Sequence, residues 1–214
     1  MNSLKDLEET LNKCSRCGLC QAVCPIYQLT KNECTSPKGK CILLNNLIKS
    51  KNKPSKEIIK YFKTCSNCGK CIDFCTGDID ITKINFLFFK CYNKIPLFMK
   101  VFKNIFILFL KIKEQILNKN IRIQGKIAYI KPYSQKDIPE KIKKYNPDVI
   151  DSPGCDLDFI INNPDLSKQL AEETVKNIIN KSYDTLITDN ILCKFQLESG
   201  FKALNINKKI KYLS

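Results

Sequence analysis

The sequence contains no histidine and very little arginine. Without histidine, the chain has no imidazole for general acid–base catalysis, for haem ligation or for a zinc finger of the cysteine–histidine type. Only Arg16 and Arg122 are arginines among 36 basic residues, although arginine is the side chain that reads bases most often. The net charge of +15 therefore comes from lysine. We expect no nucleic-acid partner, but an acidic protein partner or an anionic membrane surface.

A secretory signal and a long apolar run are also missing. The N-terminus, MNSLKDLEET, is polar, whereas a signal peptide needs an apolar segment. We therefore expect a cytoplasmic, reducing location, with peripheral attachment to the inner face of the membrane as a further option. In a reducing compartment, metal binding or redox chemistry is a better explanation of many cysteines than disulfides.

The most apolar segment, residues 86–113, is interrupted by lysines. A spanning helix needs about 20 consecutive apolar residues, so this segment instead predicts an amphipathic helix with a narrow basic face. That face carries Lys100, Lys103, Asn104 and Lys111. Three interpretations stay open: a linker helix packed on its own chain, a docking face for a partner subunit, and a membrane-surface helix through residues 95–113.

Thirteen cysteines are present, and eight of them form two arrays with the same spacing. The arrays are Cys14, Cys17, Cys20 and Cys24, then Pro25, and Cys65, Cys68, Cys71 and Cys75, then Thr76. This is the C-x2-C-x2-C-x3-C spacing of bacterial ferredoxins, in which the fourth cysteine binds the other cluster. Two structural zinc sites are the alternative, but four-cysteine zinc sites usually consist of two separated CxxC pairs.

The spacing therefore predicts two [4Fe–4S] clusters that exchange their fourth ligands. Cluster I would be held by Cys14, Cys17, Cys20 and Cys75, and cluster II by Cys65, Cys68, Cys71 and Cys24. Gly18 and Gly69 hold the same place in each array, where a residue without Cβ lets the backbone approach a cluster closely. The second array lacks the proline, because Thr76 stands there.

The rest of the pattern predicts an α+β protein of several parts. Residues 1–85 read as a helical two-cluster ferredoxin domain with Ser3 and Ser55 as helix N-caps, and residues 86–120 as the amphipathic linker. Residues 121–214 read as a small α/β module with a mostly parallel sheet. KIAYI reads as a strand and PDVIDSPG as a strand followed by a loop, and a helix then starts with Asn163 as N-cap and Pro164 as its first residue. YDTLITD reads as the next strand, and ILCKFQLESG as a short helix that ends at Gly200.

The stretch CSRCGLCQAVCPIYQLTKNECTSPKGKCILL resembles the iron–sulfur subunits of glycolate oxidase, heterodisulfide reductase and anaerobic glycerol-3-phosphate dehydrogenase. Cys24, Pro25 and Tyr27 match the family's CP-x-Y, and residues 37–40, PKGK, match its P-R-G-R conservatively. The resemblance covers roughly residues 5–80. It implies an electron wire between a flavin-containing dehydrogenase or reductase subunit and a second acceptor.

The C-terminal segment resembles one cysteine-rich module of the same family. DSPGCDLDF stands where the family has Gly-Cys-Cys-Gly, so Cys155 matches and Asp156 replaces the second cysteine, while Cys193 matches the later cysteine. The resemblance therefore implies a degenerate structural module. The alternative is an additional redox site, in which Cys155 and Cys193 serve a catalytic thiol or cluster reductase of the heterodisulfide reductase type.

No nucleophile–base pair, phosphate-binding glycine loop or flavin fingerprint is visible in the sequence. We therefore expect a non-catalytic electron-transfer subunit whose substrate chemistry belongs to its partner. The remaining cysteines are expected to be bystanders: Cys34 and Cys41, which flank the PKGK segment, and Cys91, as a small buried side chain. Lys38 and Lys40 are either solvated or close enough to a cluster to raise its potential.

Overall fold

The computed structural model describes residues 4–92, 97–117 and 123–213. The chain forms two compact units, one up to Ile95 and the other from Pro96. The N-terminal unit is helical, and the C-terminal unit contains a four-stranded parallel sheet with helices. The predicted combination of a helical region and a parallel α/β region is therefore confirmed at this level.

The N-terminal unit consists of six helices and one 3₁₀ turn among the residues described. The helices are α1 (Leu4–Asn12), α2 (Leu19–Ala22), α3 (Pro25–Thr30), α4 (Pro37–Ser50), α5 (Lys56–Lys63) and α6 (Ile81–Tyr92), and the 3₁₀ turn is Glu33–Thr35. Serine caps start two of them: Ser36 Oγ accepts from Gly39 N, and Ser55 Oγ accepts from Ile58 N. Such caps satisfy backbone N–H groups that a helix start leaves unbonded. Ser3, the predicted cap of α1, lies outside the described residues.

The core of this unit is apolar but also contains sulfur. Phe62 stacks on Phe88 with ring centroids 3.7 Å apart, and Leu44 is fully buried beside them. Cys41 and Cys71 belong to the same cluster of buried side chains, and Cys14, Cys20 and Cys75 pack against it. The helices therefore enclose the cysteine loops on one side.

The C-terminal unit contains a parallel sheet with the strand order β2-β1-β3-β4. Its strands are β1 (Ile127–Pro132), β2 (Asp148–Ser152), β3 (Thr185–Thr188) and β4 (Ile210–Tyr212). Every residue of β3 is buried, as expected for a central parallel strand that is covered on both faces. Strand β2 lies at the edge of the sheet, and its Asp151 forms an ion pair with Lys131 of the neighbouring strand β1 at 2.7 Å. The sequence did not indicate β4.

Within the described ranges, five helices accompany this sheet: α7 (Leu97–Leu117), α8 (Glu140–Lys143), α9 (Leu157–Asn162), α10 (Pro164–Ile179) and α11 (Ile191–Ala203). The predicted end of α11 at Gly200 is wrong. Gly200 lies inside the helix, which continues to Ala203. A Cβ at this position would come within 3.0 Å of Ala171 on α10, so the glycine permits the two helices to pack closely. Asn163 does precede α10, but its side chain makes no capping bond to it.

Helix α7 matches the predicted basic face only in part, since Asn104 and Lys111 are exposed. Lys103 of the predicted basic face is mostly buried and pairs with Asp158, and Glu114 pairs with Lys194. Six large apolar side chains are instead between 47% and 61% exposed: Val101, Phe102, Ile105, Leu108, Phe109 and Ile112. We call these six the α7 apolar face.

The predicted domain limits and the observed units do not coincide. The proposed limit after residue 85 falls inside α6, which continues to Tyr92, and α7 belongs to the C-terminal unit. The limits 1–85, 86–120 and 121–214 therefore stay predictions. Among the helices described, none is long and apolar enough to cross a membrane.

Candidate metal centres

The two cysteine loops repeat the same backbone conformation. Gly18 and Gly69 have φ angles of 86° and 81°, and Arg16 and Asn67, two residues earlier, have φ angles of 58° and 48°. All four lie in the left-handed region, which glycine enters without cost and other residues rarely enter. Each three-cysteine segment therefore forms a tight loop with the same backbone conformation.

The first loop and Cys75 surround one cavity. The side chains that line it include Cys14, Cys17, Cys20 and Cys75. Cys20 interacts electrostatically with the other three. The fourth member of this group thus comes from the end of the second array, as the exchange of ligands predicts.

The second loop is close to the last cysteine of the first array. Cys71 interacts electrostatically with Cys65, Cys68 and Cys24, and Cys24 in turn with Cys65. Cys24 is the N-cap residue of α3, and Pro25 occupies the first turn of that helix. The structure therefore brings together both four-cysteine groups that were predicted from the sequence.

Backbone N–H groups point at many of these sulfurs. Ile79 N donates to Cys75 Sγ at 3.3 Å. Leu19 donates to Cys17, Lys38 to Cys20, and Lys70 to Cys68 through their backbone amides. Donors of this kind stabilise negative sulfur and set the potential of a cluster that the sulfur binds.

Burial and mutual repulsion act against the thiolate form in both groups. Burial, followed by the proximity of Cys14, Cys75 and Cys17, raises the pKa of Cys20 to about 11. Burial likewise raises the pKa of Cys71, with Cys65 and Cys68 as the next causes. Four such thiolates are stable together only beside compensating positive charge, so the donor set fits a group that carries several iron ions.

Thr76, which replaces the proline after the second array, contacts the first group. Its Oγ1 is 3.9 Å from Cys17 Sγ, and this contact contributes to lowering the pKa of Cys17, after the larger effect of the Leu19 amide. A proline could not supply that hydroxyl. The departure from the ferredoxin pattern therefore adds a polar contact at the candidate centre.

Cys41 is not the distant bystander that the sequence suggested. It is 3% exposed, forms a hydrogen bond with Cys14, and interacts electrostatically with Cys20 and Cys75. Sequence spacing gives no sign of this, because α4 alone carries Cys41 to the first group. Cys91 was predicted to be buried, and this is wrong, since its side chain is exposed on α6.

The two lysines of the PKGK segment lie near different cysteine groups. Lys38 interacts with Cys20 and pairs with Glu33. Lys40 is only 2% exposed, and its charge acts on Cys24. Gly39 between them has no room for a side chain, because a Cβ would meet the carbonyl oxygen of Glu33 at 2.0 Å. Close packing at the start of α4 thus fixes both lysines.

Cys155 and Cys193, which the sequence left as an additional pair, form a disulfide with a Cα–Cα distance of 4.9 Å. Cys193 is fully buried and Cys155 partly so. Asp156, which replaces the second family cysteine, caps α9 by accepting a hydrogen bond from Phe159 N at 2.9 Å.

Over the described part of the chain, no three histidine, cysteine, aspartate or glutamate side chains converge closely enough to hold a single metal ion. A cubane presents separate iron corners to its thiolates, so its ligands do not meet at one point. The spread of each four-cysteine group is therefore compatible with a cluster.

Comparison with known proteins agrees with these sites. Residues 10–79 match the family described as 4Fe-4S dicluster domain, which implies two [4Fe–4S] clusters and iron–sulfur electron transfer. The chain is 27% identical over 74 residues to the glycolate oxidase iron-sulfur subunit of Escherichia coli (strain K12). That match covers 35% of this chain and 18% of the relative. No solved structure matches the chain. The predicted cofactors and the resemblance to such iron–sulfur subunits are thus confirmed.

Proposed function

We propose that this chain is an electron-transfer subunit, which passes electrons between a flavin-containing dehydrogenase or reductase and a second acceptor. The observation that carries the proposal is the pair of four-cysteine groups, each with one cysteine from the other array, inside a dicluster domain. A [4Fe–4S] cluster, when bound, accepts and releases one electron at a time.

We assign Cys14, Cys17, Cys20 and Cys75 to cluster I and Cys65, Cys68, Cys71 and Cys24 to cluster II. The shared cavity and the mutual interactions of the thiols support this assignment. In the assignment, exchange of Cys24 and Cys75 joins the two loops. The backbone N–H groups at Leu19, Lys38, Lys70 and Ile79 would stabilise the thiolates, and the lysine charges would favour the reduced state.

Iron content and pairwise variants test the assignment together. The purified chain should hold about eight iron and eight sulfide ions, with an electron paramagnetic resonance spectrum of two interacting clusters after reduction. Zinc in place of iron and sulfide would overturn the proposal. In the exchanged arrangement, Cys24→Ala with Cys71→Ala removes ligands of one cluster and should leave about four irons.

The contrasting variant combines Cys24→Ala with Cys20→Ala. These two cysteines are neighbours in sequence but belong to different assigned clusters, so iron should fall toward zero. Cys34→Ala is the matched control, since Cys34 belongs to neither group, and it should keep about eight irons. If the Cys24–Cys20 variant kept four irons and the Cys24–Cys71 variant lost all, each array would bind its own cluster.

For the partner, the proposal relies on the α7 apolar face and on the relative. The named relative is an iron–sulfur subunit of glycolate oxidase, which suggests that this chain also serves a larger oxidoreductase. Six exposed apolar side chains on one helix form a continuous strip, and exposed Lys111 and Lys113 lie on the same helix. Apolar strips rimmed by charge are typical of protein interfaces. We assign the strip to the flavin-containing subunit, with an acidic rim opposite the lysines.

Ile105→Asp with Leu108→Asp tests this assignment. Wild-type protein isolated from its own cells should elute with a subunit that shows flavin absorbance, and the variant should elute without it while keeping its iron. Two other outcomes would overturn the assignment. If the isolated chain forms a dimer and the variant does not, the α7 apolar face binds a second copy of the chain. If the isolated chain binds phosphatidylserine vesicles and the variant does not, this face binds a membrane surface.

A further inference from the structure

We propose that the Cys155–Cys193 pair is a redox-active dithiol–disulfide centre, which exchanges with thiol and disulfide compounds at the sulfur of Cys155. It would be a second redox site, separate in chemistry from the clusters, because a disulfide takes up two electrons together with protons. The proposal does not depend on the proposed electron-transfer function.

The position of the pair in the fold is the first argument. Cys155 follows the carboxyl end of β2, and Cys193 follows that of β3. In the sheet, β1 lies between these two strands. From β1 the chain continues to β2 on one side of β1, and β3 pairs with the opposite side of β1, so the order of the strands reverses at this point. The carboxyl edge of a parallel sheet at such a switch point is where α/β proteins place their reactive groups.

The two sulfurs are unequal in a way that suits exchange. Cys155 is partly exposed, whereas Cys193 has no exposed surface. An incoming thiolate can therefore reach Cys155 only. Cys193 lies in the first turn of α11, where Asn190 Oδ1 accepts hydrogen bonds from Leu192 N and Cys193 N at 3.0 Å each. The partial positive charge of this helix end stabilises a thiolate that is released there.

The surroundings of Cys155 are suited to a reduced sulfur as well as to the disulfide. Gln196 Oε1 is 3.7 Å and the carbonyl oxygen of Ser152 is 3.9 Å from Cys155 Sγ. Both are acceptors, which a disulfide cannot use but a thiol can. Gln196 is held in place by Ser167, whose Oγ is 3.2 Å from Gln196 Nε2. The buried Ser152 Oγ has no hydrogen-bond partner within the described ranges; such groups are rare in proteins, and a redox role of the neighbouring sulfur is one explanation for them.

The reaction balances as two exchange steps. A thiolate RS⁻ attacks Cys155 Sγ, the bond to Cys193 breaks, and its electron pair leaves with Cys193, which takes up a proton. A second RS⁻ then attacks the R sulfur of the mixed disulfide, which releases Cys155 as a thiol after protonation and forms RSSR. The pair gains two electrons, and the two external thiols lose two.

The test uses the full-length chain in anaerobic glutathione buffers of graded ratio. Each sample is denatured in the presence of N-ethylmaleimide, so that buried Cys193 reacts as well, and the peptides that carry the two cysteines are measured by mass spectrometry. We expect a reversible change from disulfide to two adducts, while circular dichroism shows an unchanged fold. In single variants, glutathione should be trapped on Cys155 of Cys193→Ser at least ten times more than on Cys193 of Cys155→Ser, because only Cys155 is accessible.

Three results would overturn the proposal. A pair that stays oxidised in excess dithiothreitol until the protein unfolds is a structural crosslink. Equal trapping on both single variants would contradict the assigned asymmetry. The wild-type protein could also contain zinc or iron in addition to the clusters. If this metal is lost when both cysteines are replaced by serine, the two cysteines are metal ligands. The wild-type titration decides the question even if a variant fails to fold, and Cys34→Ser serves as the control for background modification.

Discussion

In the N-terminal unit the predicted ligand cysteines stand in two open groups of four, whereas in the C-terminal unit two cysteines bond directly to each other. The first arrangement depends on loops with left-handed backbone and on helices as short as the four residues of α2. The second is attached to a parallel sheet whose central strand β3 is buried along its whole length. One unit therefore leaves its thiols unbonded around a site for a cofactor, and the other bonds its two sulfurs to each other against a packed core.

Because of this difference, we expect the folding of the N-terminal unit to depend on iron much more than the folding of the C-terminal unit. Removing the clusters should have the largest effect of the changes considered. Oxidative removal of the clusters with a chelator should unfold much of the N-terminal unit, because short helices are marginal without further support. Metal binding supplies about 10 kcal/mol or more in small metal-dependent domains. Circular dichroism should show lost helix, and calorimetry should still show a transition from the C-terminal unit. Hydrogen exchange that stays equally protected in both units would contradict the comparison.

A core substitution in the C-terminal unit should give the reverse result. Leu197 is fully buried between the sheet and α10, so Leu197→Ala should lower the free energy of unfolding of this unit by about 2–5 kcal/mol. Iron content should not change. Urea unfolding followed beside an iron assay checks both statements, and a parallel loss of iron would show that the units do not fold independently.

The lysines of the PKGK segment allow a smaller and more selective test inside the N-terminal unit. Lys40→Gln removes a buried positive charge near Cys24 and should lower the potential of cluster II by on the order of 50 mV. Lys38→Gln should affect cluster I less, because Glu33 already offsets that charge. Potentiometric titration followed by electron paramagnetic resonance measures both. Equal shifts of the two clusters in each variant would contradict the separate assignment.

The α7 apolar face should give the smallest change in stability. Ile105 is 60% exposed, so Ile105→Ser should change the free energy of unfolding by no more than about 0.5 kcal/mol. Phe106, next to this face on the same helix, is half-buried and packs edge-on against Phe195 with ring centroids 6.3 Å apart. Phe106→Ala is the matched variant, and it should lower the free energy of unfolding by more than Ile105→Ser does. An equal loss for both variants would mean that the strip is already covered within the chain.

Much of the candidate site could be predicted from spacing. The ligand groups follow from the ferredoxin pattern because two-residue spacers limit how a chain can surround one cluster. The cap at Ser55 is local, as is the role of the glycines at positions 18 and 69, so sequence indicates them well, whereas the cap at Ser36 was not predicted. The positions of Cys41 and Thr76 could not be predicted, since each reaches the first cysteine group by packing between distant segments.

The sequence by itself determined the two cysteine arrays, the absence of histidine chemistry and the alternation of strands and helices after residue 121. These depend on residue type and short-range spacing. Only the tertiary structure decided that Cys155 and Cys193 are bonded, that Lys103 is buried while the apolar side of α7 is exposed, and that Gly200 lies within a helix. The physical reason is that each of these depends on which surfaces pack together, and packing joins residues that local pattern leaves unrelated.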